Sequence, residues 1–449
     1  MTTARRTHVP LTDVDKMDYS ECLAYLRRLG DEVLTMRLGL EPFRGLLGQL
    51  DHPHRRFPSV VVAGTNGKGS VTRLLGSIMS SCGLKTAVIT SPHVMRLEER
   101  IVVDGKPISR QEFAACFSRV AETIRRAELR FHPTYFETVT ATAFRYFARR
   151  RVELAILEVG MGGRLDSTNA VDPRLSVITP VGLDHQAQLG NTVEEIALEK
   201  AGVLRPATPV LLSPQRKEVR RVLGERAAHV GAVVHDLDLP ALRPLEERRG
   251  RYSFSFRGTN YRLGMHGKHQ IENAGVAIQA SEILERLGFA RNGTGVREGV
   301  EKARSLGVLQ KIEGRPAVYL DGGHNRDAVA NLAAFLQAHT RPPRSLVFGI
   351  MRDKDIEVVL GLLAPLFERI VFTSFQSARA AAPQRLKEVC PRGRAVPDPV
   401  LALRRVLEAG ATTVVAGSFY LVGEILSAIE EGSVNWDRPA SVRRGDHPW

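Results

Sequence analysis

The sequence predicts an α/β protein: a mostly parallel sheet with a small antiparallel element, followed by a smaller α/β unit. Three observations predict it. Short apolar runs alternate with helical stretches from residue 59 onward. A polar–apolar alternation with a central turn interrupts that rhythm near residue 251. The rhythm then restarts beyond residue 304. Apolar runs separated by helices belong to a parallel sheet covered on its faces, and period-two alternation about a turn belongs to a hairpin. At 449 residues the chain exceeds what one hydrophobic core usually supports, so two domains are expected.

In order along the chain, strands are predicted at Ser59–Ala63, Thr86–Thr90, Leu154–Val159, Leu175–Thr179 and Pro209–Leu212. Arg251–Leu263 reads as an antiparallel hairpin about Arg257-Gly258-Thr259-Asn260. A helix follows from Ile271 to Leu287, and then strands at Ala317–Leu320, Ser345–Phe348, Arg369–Phe372 and Thr413–Ala416. The expected division is 1–303, 304–432 and a flexible tail over 433–449, which is rich in Pro, Arg and Asp.

Composition excludes several classes. The hydrophobic fraction of 43% is that of a globular protein. No apolar run reaches the roughly 20 residues of a membrane helix, and the polar start lacks the apolar core of a signal peptide. Cys22, Cys82, Cys116 and Cys390 lie far apart, with neither zinc-ligand spacing nor a disulfide framework, as a reducing cytoplasm would have it. The formal charge of +14 comes from scattered arginines. There is no basic stripe interleaved with aromatics, so a solvated surface, or next to it the attraction of an anionic substrate, is expected rather than a nucleic-acid partner.

The strongest local signal is Gly64-Thr65-Asn66-Gly67-Lys68-Gly69-Ser70, directly after the first predicted strand and before a helical run from Val71 to Ser81. Glycines let backbone N–H groups converge on phosphate oxygens, and a helix N-terminus adds partial positive charge. The spacing is shorter than the usual P-loop, but the lysine and hydroxyl remain, for phosphates and Mg²⁺ respectively. A metal-binding acid is expected at the end of a neighbouring strand. Glu158, closing the apolar run that starts at Leu154, supplies one. His185 follows the strand that starts at Leu175.

With these residues in view, the sequence resembles the folylpolyglutamate synthase/dihydrofolate synthase family of the Mur ligase superfamily, from about Tyr25 to Leu426. The resemblance is carried by Arg37-Leu-Gly-Leu40, the loop Gly64–Ser70, Thr90-Ser-Pro-His93 with Glu99-Arg-Ile101, and Thr134-Tyr-Phe-Glu137. It continues through Glu158-Val-Gly-Met-Gly-Gly-Arg-Leu-Asp-Ser-Thr-Asn169, Asp184-His185, Glu199-Lys-Ala-Gly202 and His269-Gln270 with Asn273. It ends with Asp321-Gly-Gly-His-Asn325, Asp353-Lys-Asp355 and Gly417-Ser-Phe-Tyr-Leu-Val-Gly-Glu424. It implies a Mur-ligase-like ATPase domain, a Rossmann-like glutamate-ligase domain, and ATP-dependent addition of L-glutamate to dihydropteroate and reduced folates through an acyl phosphate. By the same resemblance, Ser70 and Glu158 serve one Mg²⁺, and Glu158, His185 and a carbamylated Lys200 serve a second. Thr134, Phe136 and Asp166 meet the pterin, Asn273 the adenine and Asp321 the ribose. His324, Ser418 and Tyr420 meet the incoming glutamate. A monomer acting on small molecules, away from membranes, is implied.

Two departures stand out. Leu306-Gly307-Val308 occupies the place of the family's Pro-Gly-Arg, so an arginine that approaches the nucleotide is missing. The family's D-G-A-H-N-P has become Asp321-Gly-Gly-His-Asn-Arg326, and Arg326 or Arg315 could stand in electrostatically. The rival readings are a Mur-type ligase acting on another carboxylate, a non-catalytic nucleotide binder, and a DNA-stimulated ATPase.

Overall fold

The computed structural model describes residues 17–30, 39–127, 132–314 and 316–434. Arg37, Leu38, Arg315 and residues 435–449, which figure in the expectations above, lie outside it. Eight strands form the first sheet: β1 (Ser59–Ala63), β2 (Thr86–Ile89), β3 (Ile101–Val103), β4 (Lys106–Pro107), β5 (Leu154–Glu158), β6 (Leu175–Ile178), β7 (Pro209–Leu212) and β8 (Val233–Asp236). Their order is β4-β3-β2-β5-β1-β6-β7-β8, parallel from β2 through β8, with β3 and β4 adding an antiparallel edge. Alternate residues serve opposite faces. Val61, Ala63, Ala155 and Leu157 face one core, and Val60, Val62, Leu154 and Ile156 the other. Burial on both faces explains why these strands read as unbroken apolar runs.

A three-stranded antiparallel sheet follows, β9 (Leu242–Arg248), β10 (Arg251–Phe256) and β11 (Thr259–His266). The hairpin is as expected, turning at Arg257 and Gly258, both with positive φ. β9 was not expected: LRPLEER is exposed along nearly all its length and carries no alternation to read. Phe254, Phe256, Tyr261 and Leu263 pack into the second core with the helix Gln270–Arg286.

The third sheet holds β12 (Gln310–Ile312), β13 (Val318–Asp321), β14 (Arg344–Phe348), β15 (Arg369–Phe372), β16 (Arg394–Ala395) and β17 (Thr412–Ala416). The order is β12-β13-β17-β14-β15-β16, with only β12 antiparallel. Its two faces again carry separate cores. Val434 is buried in one of them and the Arg404 guanidinium donates to the carbonyl of exposed Ser433, so the expected tail begins with a tethered residue and a packed one.

The two α/β units meet closely. Val94, from the loop after β2, is buried among the third sheet's apolar residues. Its carbonyl lies where a Cβ on Gly423 would come within 1.9 Å, so the helix Phe419–Glu430 fits only with glycine there. Arg96 pairs with Glu430 at 2.7 Å across the same joint. Farther away, the Tyr252 hydroxyl is 2.9 Å from His339 Nε2, at the C-terminal end of the helix Arg326–His339.

Candidate active site

The phosphate loop emerges from β1, between β5 and β6, where the strand order reverses direction along the sheet. That is where open α/β sheets bind ligands. Gly64 has φ +146°, and a Cβ there would strike the Thr179 hydroxyl at 1.8 Å. Gly67, at φ +85°, caps the helix Lys68–Ser81. The helix begins at Lys68 rather than Val71, which puts Lys68, Gly69 and Ser70 on its first turn. The Thr65 and Asn66 amides donate to the Pro180 carbonyl at 2.9 and 3.2 Å, and the Thr65 hydroxyl donates to the Gly182 carbonyl at 3.0 Å. This ties the loop to the chain that follows β6.

A cavity of about 310 Å³ opens at this loop, walled by both α/β units. From the first unit come Gly64 to Ser70, Phe136, Glu158, His185, Lys200 and Asn273; from the second, Asp321, His324, Ser418 and Tyr420. Thr134 and Asp166 are not on the wall. The Thr134 hydroxyl donates to Glu137 Oε2 at 2.8 Å and accepts the Glu137 amide, a capping box at the start of the helix Tyr135–Arg150. The Asp166 carboxylate accepts from the Met161 amide, the Thr168 amide and the Thr168 hydroxyl. Both side chains organise local backbone. Phe136 does face the cavity; its ring fits because residue 160 is glycine, where a Cβ would come within 2.8 Å of it.

Glu158 ends β5, is 4% exposed, and accepts the Ser91 amide at 3.0 Å. Burial raises its pKa, and the Lys68 charge pulls it back. Lys68 Nζ donates to the Thr65 carbonyl at 3.2 Å. The Ser70 hydroxyl accepts from Gln270, whose carbonyl oxygen accepts from Asn273 at 2.9 Å. Lys200, at the end of the helix Val193–Lys200, donates to the Gly64 carbonyl at 2.7 Å. Burial, then the Lys68 charge, lowers its pKa to about 7. Burial likewise lowers His185 to about 3. Its Nδ1 is buried without a hydrogen-bond partner among the described residues, the kind of atom a cation could satisfy. Asp321, at the end of β13, accepts the Leu309 and Gly323 amides, and burial raises it to about 6.

Several groups here were given no role by sequence: Arg73 and Arg379 were not named, and Asp184, Asn325 and Lys354 figured only as motif residues. Arg73 is half-buried on the phosphate-loop helix, lines the cavity, and donates to the Thr90 hydroxyl at 3.0 Å. Arg379 lines the second unit's side and pairs with Asp353 at 2.8 Å. Lys354 and Asn325 converge on Asp184. Arg326 is exposed and off the wall.

A short P-loop, a strand-end acid beside it and a second α/β unit closing the cavity define an ATP-dependent amide-forming ligase of the Mur type. Residues 62–281 match the Mur ligase middle domain, and 307–419 the Mur ligase glutamate ligase domain. The dihydrofolate synthase/folylpolyglutamate synthase of Bacillus subtilis (strain 168) is 33% identical over 403 residues, covering 86% of this chain and 94% of the relative. Escherichia coli FolC in complex with DHPP and ADP superposes with a TM-score of 0.84 at 28% identity, over 94% of this chain and 100% of that one. A Yersinia pestis bifunctional folylpolyglutamate synthase/dihydrofolate synthase complexed with AMPPNP and Mn ion gives 0.81 at 28%, over 93% and 100%. The chain belongs to the dihydrofolate synthase/folylpolyglutamate synthase family and is an ATP-dependent ligase of glutamate.

Proposed function

We propose that this ligase joins L-glutamate to dihydropteroate and to reduced folates, within one cavity shared by its two units. The observation that carries this reading is the joint wall itself: a phosphate loop and Phe136 on one side, and His324, Ser418 and Tyr420 on the other. Two domains, 1–303 and 304–432, are part of the reading. The apolar cores support that division, since Ala303 packs with the first unit and Leu306 and Leu309 with the second. Four free cysteines fit a cytoplasmic protein, and a site walled by one chain fits a monomer.

A carboxylate is a poor electrophile. Its oxygen first attacks the γ-phosphorus of ATP, ADP leaves, and an acyl phosphate results. The glutamate α-amine then attacks the acyl carbon and phosphate departs. The first step brings two anions together, so the protein's task is positioning and charge neutralisation. Gly64, Gly67 and Gly69 present amides to the phosphates, Thr65 and Asn66 hold the loop in shape through their bonds to the Pro180 carbonyl, and Lys68 supplies charge. Asn273 and Asp321 hold the nucleoside, while the Phe136 ring offers a face for a flat heterocycle. His324, Ser418 and Tyr420 orient the glutamate. Thr134 and Asp166 keep a pterin role only through the loops they shape.

Divalent metal would be held by Ser70 and Glu158 at one site, and by Glu158, His185 and Lys200 at a second; such an ion neutralises phosphate charge. A lysine ammonium cannot ligate a hard cation, whereas its carbamate offers two oxygens. CO₂ adds only to the neutral amine, which a pKa near 7 supplies. Lys200→Ala should then bind ATP but lose most activity, with partial rescue by high acetate, and Lys200→Arg should stay inactive. A mass increase of one CO₂ at Lys200 in protein kept with bicarbonate checks this; a bare amine in fully active, metal-loaded enzyme refutes it.

The central test is mass spectrometry of products formed from ATP, Mg²⁺, glutamate and either dihydropteroate or tetrahydrofolate. Glutamylated product is expected with both. Folded Lys68→Ala should make neither, and normal turnover in that variant would sink the phosphate-loop assignment.

A further inference from the structure

The Asp184 carboxylate lies on the loop after β6, and its side chain is only 10% exposed. Its partners come largely from the other unit. Lys354 Nζ donates to Oδ1 at 2.5 Å, Asn325 Nδ2 to Oδ2 at 3.3 Å, and His324 Nε2 stands 3.6 Å from Oδ2. On its own side, Oδ1 accepts the His185 amide at 2.9 Å.

Asn325 leaves little freedom in this arrangement. Its Oδ1 accepts the Ala328 amide at 3.0 Å, capping the helix Arg326–His339, so its NH₂ must point the other way. That NH₂ meets both Asp184 and Asn66 Oδ1, the latter at 3.0 Å. The Asp184 loop is in turn bonded to the phosphate loop through Thr65, Pro180 and Gly182. A chain of hydrogen bonds therefore runs from Asn66 of the phosphate loop through Asn325 to Asp184 and Lys354, with His324 in ion-pair range of the same carboxylate.

Lys354 is 7% exposed at its side chain, so the pair is desolvated on both sides. Desolvating two charges costs about as much as their attraction returns, so such a pair adds little stability over apolar packing and is better understood as fixing geometry. Lys354 and His324 both line the cavity.

We propose that Asp184 is a positioning residue that locks the second unit onto the phosphate loop by seating Lys354, Asn325 and His324. The lock sets where the amino-acid half of the reaction stands relative to ATP. It rests on the ligase reading above, and adds to it the part that registers one half-site against the other.

The test is a double-mutant cycle on the full chain: Asp184→Asn, Lys354→Met and both together. It reads kcat and KM for ATP and glutamate, with ATP affinity measured separately by calorimetry. Asp184→Asn keeps the shape and removes the charge. Each single variant should lose kcat about tenfold or more, with ATP affinity within about twofold of the parent, and the double variant should be no worse than the worse single. A merely structural role would lower melting temperature and ATP affinity along with kcat. Losses that multiply in the double variant, or Asp184→Asn with the parent's kcat, would overturn the lock. If Asp184→Asn fails to fold, the cycle of Asn325→Ala with Lys354→Met asks the same question, and multiplying losses overturn it there. A parent enzyme that forms no glutamylated product would refute the ligase reading; an active parent with multiplying losses refutes the lock alone.

Discussion

Val308 stands on the cavity wall, at the position where the family resemblance implies an arginine, and the backbone around it is tightly held. Gly307, at φ +66°, donates to Gln310 Oε1 and accepts the Gly322 amide at 2.7 Å, while the Leu309 amide donates to Asp321. A long side chain at 308 would therefore enter the cavity from a fixed origin. Charge-assisted contacts to phosphate contribute about 1.5–3 kcal/mol, so Val308→Arg should lower KM for ATP about tenfold. Arg326→Ala should leave it unchanged, because Arg326 is exposed and off the wall. Steady-state kinetics check both; an unchanged KM in Val308→Arg would point to Arg379, already on the wall, as the cation that serves instead. The loop residues were legible in sequence because glycine at positive φ and a strand-end acid leave a local mark. Arg73 was not: within one helix a cavity-facing arginine and a solvated one look alike, and only packing separates them.

At the scale of elements, the helix Tyr135–Arg150 joins a cap and a wall residue at its start. Thr134 closes the capping box and Phe136 faces the cavity. The two should separate on mutation. Thr134→Ala is expected to cost about 1 kcal/mol of stability with a modest kinetic effect. Phe136→Ala should raise KM for the pteroate substrate and leave KM for ATP alone. Thermal melts and kinetics on both variants decide; a large KM effect from Thr134→Ala, with unchanged melting, would return that hydroxyl to the substrate. Strands buried on both faces were readable almost residue for residue, as at Ser59–Ala63 and Pro209–Leu212. β9 was invisible because its pairing with β10 is a backbone matter and its side chains meet water. Short edge strands such as β4 and β16, with two residues each, hold too few positions for any period to show.

For the whole molecule, the joint at Gly423 is a close approach between the two units. An added methyl would meet a backbone carbonyl rather than a side chain that could swing aside. Gly423→Ala should therefore displace the loop carrying Val94. Overpacking of this kind costs about 1–3 kcal/mol. The same loop brings the Ser91 amide to Glu158, so kcat should fall along with the melting temperature. Unchanged melting and turnover would show that the joint yields freely. The sequence indicated two units and most of the residues of their shared cavity, but not how the halves register. That depends on contacts such as Asn325 with Asn66, which are 259 positions apart and leave no local pattern. A cavity walled by residues from Gly64 to Tyr420 also has a consequence in time. During synthesis the phosphate loop leaves the ribosome early, while the last part of the wall waits for the helix Phe419–Glu430. Until that helix docks, a nascent chain holds a nucleotide cradle with no place for the amino acid. The order of translation thus delays the full reaction until that helix has been made.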